Sequence, residues 1–457
     1  MAENINISNY KNIYFIGIGG IGMSALAKYF AVNGKQVAGY DKVASQITAS
    51  LEKDGVTIHF TDDVLKIPDT FKNKEETLVV YTPAIPKNHQ ELNYFINQGF
   101  TVLKRAEVLG LITKETFCFA VAGTHGKTTT STILGHILKE TGVNATSFLG
   151  GIATNYNSNL ILGNDKISVV EADEYDRSFL QLSPNYACIT SMDADHLDIY
   201  GQAEELETSF NDFAKIVKDK LFVAEDLPLN GITYGFSEKA NYQAKNIRSK
   251  NGYYLFDVKT SSKSVLDIKL NLLGEHNVSN ALAALAMAHQ YGVSLDKIKK
   301  AIASFKGIER RFNIKINKDN LVLIDDYAHH PTEINAVYKT VVTSFPEKEK
   351  VVIFQPHLFS RTKDFADDFA RSLGQFDKVY LLDIYPAREL PIDGITSNWL
   401  AEKVKKQNPN VSVLPFSRKA ISYEIEKLNN AVVAMLGAGD IGVMIKKVEE
   451  QLNNQVV

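Results

Sequence analysis

Gly123, Gly126, Lys127 and Thr128 are the residues whose types and spacing most directly suggest chemistry. Glycine N–H groups can close around an anion, a lysine amine supplies a mobile cation, and a threonine hydroxyl can ligate a divalent metal. The spacing is compact. The common phosphate loop has four residues between its glycines, whereas here only Thr124 and His125 intervene. The flanks supply what such a loop needs. Phe117 to Ala122 is an unbroken apolar run that reads as a buried strand, and Ile133, Leu134, Ile137 and Leu138 follow with helical spacing up to a stop at Gly142. Strand, glycine turn, Lys–Thr and helix predict a loop in which Gly123, Thr124, His125, Gly126, Lys127, Thr128 and Thr129 bind nucleotide phosphates.

A second glycine cluster stands near the start. The strand Ile13–Ile16 leads into Gly17, Ile18, Gly19, Gly20, Ile21 and Gly22, then a helix through Met23, Ala27 and Phe30, then a strand, 36–40, that delivers Asp41. This is the β-α-β fingerprint in which glycines allow close phosphate approach and an acid about 20 residues on accepts from a ribose. It predicts a bound diphosphate or nucleotide without specifying nicotinamide. Further strands are predicted near Val56–Phe60, Leu78–Tyr81 and Thr101–Leu103, and Thr82 sits just past a strand end, where open parallel sheets place ligand contacts.

Two acidic strand ends follow the phosphate loop. Lys166–Val170 runs into Glu171-Ala-Asp-Glu174, where a phosphate-loop enzyme keeps its Mg²⁺ carboxylate. Tyr186–Thr190 runs into a segment holding Asp193 and His196, the latter a metal or phosphate contact beside acids that can fix its tautomer. Residues 240–272 alternate around Asn251-Gly252 and predict a β-hairpin insertion. An apolar helix from Ala281 to His289 and the pair Arg310-Arg311 precede a fresh α/β unit. There Asp325 to Glu333, Gln355 to Thr362 and Asp383 to Gly394 each follow a plain Val/Ile/Leu strand, and Pro331 is placed to open a helix.

These elements fit an α/β chain of three domains: a Rossmann-like N-terminal domain (1–109), a central parallel sheet of the P-loop ATPase type (110–313), and a Rossmann-like C-terminal domain (314–457). The remaining composition is restrictive mainly by exclusion. A net charge of −3 gives no electrostatic reason to expect nucleic acid or an anionic membrane. No apolar run is long enough to span a bilayer, the N-terminus lacks the pattern of a signal peptide, and Cys118 and Cys188 lie in apolar runs that suit core thiols. The expectation is a cytoplasmic enzyme. A dehydrogenase would leave the phosphate loop unused, and a plain nucleotide kinase would leave the outer domains unused. An ATP-driven ligase uses all three; a nucleotide-binding regulatory protein that releases no phosphate is the non-catalytic alternative.

The ordered set Gly-Ile-Gly-Gly-Ile-Gly-Met-Ser (17–24), Ala-Gly-Thr-His-Gly-Lys-Thr-Thr-Thr (122–130), Glu-Ala-Asp-Glu (171–174), Asp-Ala-Asp-His-Leu-Asp (193–198), His-Asn-Val-Ser-Asn (276–280), Arg-Arg-Phe (310–312), Asp-Asp-Tyr-Ala-His-His-Pro-Thr-Glu (325–333) and Gln-Pro-His (355–357) resembles the Mur ligases over nearly the whole chain. The resemblance includes the short phosphate loop. It implies ATP and Mg²⁺ as cofactors, UDP-N-acetylmuramate and L-alanine as substrates, and amide formation through an acyl phosphate, with attachment of a tripeptide to the same sugar nucleotide as the alternative. It also implies a monomer or weak homodimer. Carried over residue by residue, Gly17 to Gly22 with Asp41, Thr82 and Arg105 take the UDP-sugar. Residues 123–129 with Asn280, Arg311, Tyr327 and His329 take ATP. Thr128, Glu171 and His196 ligate metal, while His329, His357 and Arg361 take the amino acid; Lys127, His196 and Arg311 are the catalytic set. The resemblance does not separate Arg310 from Arg311. Two positions depart from the family pattern: Leu358 stands where many relatives have Arg, and Asp440 where many have Asn.

Overall fold

Near-continuous Val, Ile, Leu and Phe runs cannot leave a sheet face in water, so these strands require helices on both sides. The computed structural model describes residues 5–193, 203–250, 252–261, 263–387, 389–415 and 421–454. Three sheets form, arranged in two compact units. The first unit comprises Met1–Ile247, Leu255–Leu270 and Val278–Lys306; the second comprises Arg248–Tyr254, Asn271–Asn277 and Gly307–Val457.

The first sheet holds β1 (Asn12–Ile16), β2 (Gln36–Tyr40), β3 (Thr57–His59), β4 (Thr77–Tyr81) and β5 (Thr101–Lys104) in the order β3-β2-β1-β4-β5, with every pairing parallel. The order reverses at β1, which places a ligand crevice at the end of that strand. Its successor is the predicted glycine turn, followed by the helix Ile21–Val32.

The second sheet belongs to the same unit. It is built on β6 (Phe117–Ala122), flanked by β10 (Tyr186–Ile189) and β9 (Asn164–Glu171), with β7 (Ala145–Ala153) and β8 (Ser158–Ile161) beyond β9. On the other side run β11 (Lys220–Ala224), β12 (Ile232–Gly235), β13 (Tyr242–Lys250), β14 (Tyr253–Lys259) and β15 (Ser264–Leu270). The stretch expected as a hairpin insertion is thus a three-strand extension of the sheet edge, joined by parallel pairing of Tyr234 with Tyr242. Alternation around Asn251-Gly252 identified β13 and β14, but a local pattern carries no signal for pairing with β12.

The helix Arg105–Lys114 packs on β5 of the first sheet and β6 of the second, so a boundary at 109 falls inside it. One apolar cluster accordingly runs from Ile13 and Phe15 to Cys118, Ala120 and Phe210. Both cysteines are buried free thiols, as their apolar surroundings suggest. The helix Glu275–Gln290 is buried on all sides from Ala281 to Ala288, as expected for a core helix without a polar face.

The third sheet lies in the second unit: β16 (Asn313–Asn317), β17 (Leu321–Asp326), β18 (Glu349–Phe354), β19 (Lys378–Leu381), β20 (Ser412–Pro415) and β21 (Ala431–Leu436), ordered β16-β17-β21-β18-β19-β20. Only β16 runs antiparallel to its neighbour; β17, β21, β18, β19 and β20 pair in parallel. Pro331 opens the helix Pro331–Ser344 as predicted, and His330 and Glu333 close a capping box around it.

Candidate functional site

The compact loop is built on two glycines that no side chain can replace. Gly123 has φ of 129° and Gly126 of 85°. A Cβ at Gly123 would overlap Thr190 Oγ1, and one at Gly126 would sit 2.5 Å from Asn280 Oδ1. The strand end after β10 supplies the support that the short loop lacks. His125 N donates to Ser191 Oγ at 2.8 Å, Thr124 N to Ser191 O at 3.2 Å, and Asp193 N to Thr124 Oγ1 at 2.9 Å. The single Thr190 hydroxyl proton is shared between Ala122 O, at 3.0 Å, and His125 O. These residues were not singled out by sequence, apart from Asp193 as an acid near His196. The helix Lys127–Glu140 then begins, with Thr128 and Thr129 buried in its first turn.

Thr128 Oγ1 donates to Glu171 Oε1 at 3.1 Å. A Cβ at Gly150 would overlap the Glu171 carboxylate, so a glycine on β7 makes the room this acid occupies. A hydroxyl and a carboxylate oxygen side by side are the hard oxygen donors that Mg²⁺ takes, and two protein ligands leave positions for water and phosphate. The pair therefore fits the implied metal. Among the described residues no group of three or more His, Cys, Asp or Glu could hold a metal alone. His196 lies outside the described residues; its neighbour Asp193 stands 3.4 Å from His125 Nε2.

Lys127 Nζ folds over the loop, 2.6 Å from Gly123 O and 2.8 Å from the carboxylate of Glu174, which is fully buried. Burial opposes charge on this amine, but Glu174, Asp173 and Glu171 outweigh it and hold the pKa above the ordinary lysine value. Asn280, on the buried helix, receives Thr130 Oγ1 at 3.3 Å and abuts Gly126. The loop, Glu171 and Asn280 are thus brought together.

At the other glycine turn, Thr82 and Arg105 converge on it: a Cβ at Gly17 would lie 2.7 Å from Thr82 Cγ2, and one at Gly22 2.8 Å from Arg105 Nη1. Asp41 is engaged within the turn, accepting from Gly19 N at 2.7 Å and Val43 N at 3.2 Å. Gly17 N and Ile18 N donate to Tyr40 O. The first intrahelical bond runs from Ser24 N to Gly20 O, so the helix presents the amides of Ile21, Gly22 and Met23 in its first turn.

The second unit separates the two arginines. Arg310 has φ of 60°, donates to Gly437 O, and lies 3.5 Å from Asp325. Arg311 lies 3.9 Å from Glu333, and both guanidinium groups lie near the Tyr327 ring, at 5.1 Å for Arg310 and 5.2 Å for Arg311. Arg310 therefore ties two strand ends of this sheet together, leaving Arg311 as the candidate for ligand chemistry. Asp326, buried and accepting from Ala328 N and Phe312 N, is pushed up to about 6 by desolvation. His276 is pushed down to about 4 by burial, with Arg311 adding to the effect. His329 Nδ1 donates to Tyr327 O at 3.0 Å, and its ring meets the His357 ring edge-on at 6.0 Å; His357 in turn stacks on Tyr385. Arg361 is buried in the short helix that follows. Leu358, the residue before that helix, is buried with φ of 69°, a strained conformation for a branched side chain. Gln355 Nε2 donates to Asp440 Oδ1 at 2.7 Å, which gives the acid at 440 a defined partner.

Three domains of parallel α/β sheet, one carrying a Lys–Thr phosphate loop beside an acidic strand end, define a nucleoside-triphosphate-using enzyme with further ligand crevices. The chain belongs to the Mur ligase family. Residues 12–116 match the Mur ligase family catalytic domain, 121–288 the Mur ligase middle domain, and 310–439 the Mur ligase glutamate ligase domain. A relative from Flavobacterium psychrophilum described as UDP-N-acetylmuramate–L-alanine ligase is 55% identical over 99% of this chain and 100% of its own. One of the same description from Porphyromonas gingivalis is 45% identical over 97% of this chain and 99% of its own. The crystal structure of UDP-N-acetylmuramate–alanine ligase from Thermotoga maritima superposes with a TM-score of 0.83 at 29% identity, covering 97% of this chain and 99% of that one. A murein peptide ligase from Psychrobacter arcticus, at 24% identity and a TM-score of 0.70 over 98% of this chain and 100% of its own, is alike in fold.

Proposed function

We propose that the chain is an ATP-dependent carboxylate–amine ligase that joins L-alanine to the lactyl carboxylate of UDP-N-acetylmuramate in peptidoglycan precursor synthesis. The observation that carries the reading is the Lys–Thr loop with Thr128 against Glu171, set in a chain alike along its whole length to ligases of that description. A carboxylate is a poor electrophile. The lactyl oxygen therefore attacks the γ-phosphorus of ATP, ADP leaves, and an acyl phosphate results. The amine of alanine attacks its carbonyl carbon, and collapse of the tetrahedral adduct expels phosphate and leaves the amide.

The chain's own groups serve this by placement and charge. Loop amides from residues 123–129 cradle the phosphates, and Lys127 offsets charge on the β- and γ-phosphoryl groups. Thr128 and Glu171 would hold Mg²⁺, which when bound neutralises phosphate oxygens; His196 is proposed as a further metal contact. The helix start at Ile21–Met23, with Thr82 and Arg105, is proposed to take the diphosphate of the sugar nucleotide. Asp41 supports this turn through Gly19, so its proposed ribose contact uses whatever capacity that bond leaves. Asn280, Arg311, Tyr327 and His329 are proposed as nucleotide contacts, and His329, His357 and Arg361 as amino-acid contacts. We assign the three roles to 1–109, 110–313 and 314–457, in a cytoplasmic setting. Among the described residues no helix is long and apolar enough to cross a membrane.

A phosphate-release panel across sugar nucleotides and amino acids tests the reading. Release should require both UDP-N-acetylmuramate and L-alanine. Equal release with a tripeptide and none with alanine would replace it by the peptide-ligase alternative.

A further inference from the structure

The segment after β9 does more than deliver Glu171. Asp176 and Arg177 both sit at positive φ, 55° and 53°, in adjacent non-glycine residues. Each left-handed residue of this kind costs about 1 kcal/mol or more. The turn is held in place from several directions. Arg177 N donates to Glu174 O and Phe179 N to Asp173 O, both at 2.9 Å. Lys104 lies 3.0 Å from Asp176, and Arg105 lies 3.8 Å from Asp173. The outcome of this strained winding is that Glu174 is buried completely and its carboxylate meets Lys127 Nζ.

We propose that Glu174 is a positioning residue for Lys127, fixing the amine so that one of its N–H groups is directed at the triphosphate. An ammonium has three N–H donors. Here one reaches Gly123 O at 2.6 Å and one reaches Glu174 Oε1 at 2.9 Å, while Thr124 O, at 3.3 Å, is a weak partner. Two strong anchors define where the third donor points. They also hold a long, flexible side chain in one rotamer before ATP arrives, so ordering it costs little on binding. Glu171 adds to the negative charge around the amine, but its Oε1 accepts from Thr128, whereas Glu174 is the acid that accepts directly from Lys127. The run Glu171-Ala-Asp-Glu174 thus divides two duties: the first acid serves the Thr128 side, and the last sets the lysine.

The inference rests on the proposed binding of ATP by residues 123–129, and the experiment separates the two. Binding of AMP and of a non-hydrolysable ATP analogue is measured by calorimetry in the parent protein, Glu174→Gln, Lys127→Ala and the double variant, with the thermal midpoint of each recorded. Glu174→Gln should weaken the triphosphate analogue about tenfold and AMP less than twofold. In the Lys127→Ala background the same change should cost less than twofold, because a residue acting through the lysine has nothing left to act on. Glu174→Asp, which keeps the charge, serves if the Gln variant does not fold, and should fall between parent and Gln. An unchanged or tighter affinity for the analogue, an equal loss for AMP, or the full loss without Lys127 would overturn the positioning role. If the parent protein and Lys127→Ala bind the analogue equally, the phosphate-loop reading itself fails.

Discussion

A carboxylate with no exposure at all lies under the first domain's loops, and its replacement should make the protein more stable at alkaline pH. Glu91 accepts from Tyr14 OH at 2.8 Å and Asp63 N at 3.2 Å, and lies 3.5 Å from His59 Nε2. Asp62 and Asp63 add negative charge nearby, His89 pairs with Asp62, and burial keeps both histidines below their ordinary pKa. Desolvation is the largest effect on Glu91, raising its pKa from 4.5 to about 7 despite the stabilising hydrogen bonds. The folded state therefore keeps a proton that the unfolded chain loses near 4.5. Stability falls as pH rises from there to about 7, then levels off. At about 1.4 kcal/mol per pH unit, the full effect is about 3 kcal/mol. Glu91→Gln keeps the shape and an acceptor for Tyr14 but has no charge to desolvate. We expect the variant to gain about 2 kcal/mol at pH 8 and to match the parent near pH 4.5. In a chain of several domains a single unfolding midpoint is ambiguous. Hydrogen exchange of peptides from β1 and the helix Gln90–Asn97, corrected for intrinsic rates, reports on this region alone. A difference that does not change with pH, or a variant less protected at pH 8, would refute the desolvation argument.

Other outcomes follow from the phosphate loop and the third sheet. Gly126→Ala should reduce ATP turnover by at least a hundredfold, since φ of 85° strains any side chain and its Cβ would press on Asn280; turnover within threefold of the parent would show that the loop has slack. Glu171→Gln should raise the Mg²⁺ concentration needed for half-maximal phosphate release about tenfold or more, and an unchanged requirement would move the metal elsewhere. Arg361→Ala should mainly raise the KM for alanine, and an unchanged KM would assign the amino-acid carboxylate to another residue.

Local punctuation made most of the scaffold legible: a Val/Ile/Leu strand, a glycine or acid at its end, a helix with a stop. The β-α-β start, the phosphate loop and the helix opened by Pro331 all announce themselves this way. The Thr128–Glu171 contact was expected because the position of an acidic strand end is a rule of parallel sheets. What escaped notice depends on distant pairs. Glu174 and Lys127 are separated by 47 residues, and Gln355 and Asp440 by 85. The two-residue gap in the loop gave no hint that Thr190 and Ser191 would brace it. Arg310 and Arg311 are indistinguishable as types; the left-handed backbone at Arg310 and the bond from its guanidinium to Gly437 O are what set it apart from Arg311.

That distinction bears on how strain and function are divided in this chain. Positive φ at non-glycine residues recurs beside residues with proposed roles: Asp176 and Arg177 after Glu174, Arg310 and Phe312 around Arg311, and Leu358 before Arg361. In each case the strained residue lies within three positions of a residue proposed either to meet a ligand or to position one that does. Such conformations persist only where surrounding contacts over-determine them. Lys104 and Arg105 hold the first turn, while Asp325 and Gly437 hold Arg310. At Leu358, Tyr385 O accepts the backbone N–H and Thr362 Oγ1 donates to the carbonyl. A branched side chain that is buried at such a place has a packing reason to stay. Leu358→Gly should relax the backbone yet leave a cavity. The two effects oppose each other, and hydrogen exchange of peptides from β18 and the helix Phe359–Asp364 shows which is larger. Loss of a buried leucine costs about 2–5 kcal/mol, against about 1–3 kcal/mol of strain, so the variant should be less protected there. Greater protection would mean that the left-handed turn is maintained at net cost for the amino-acid site.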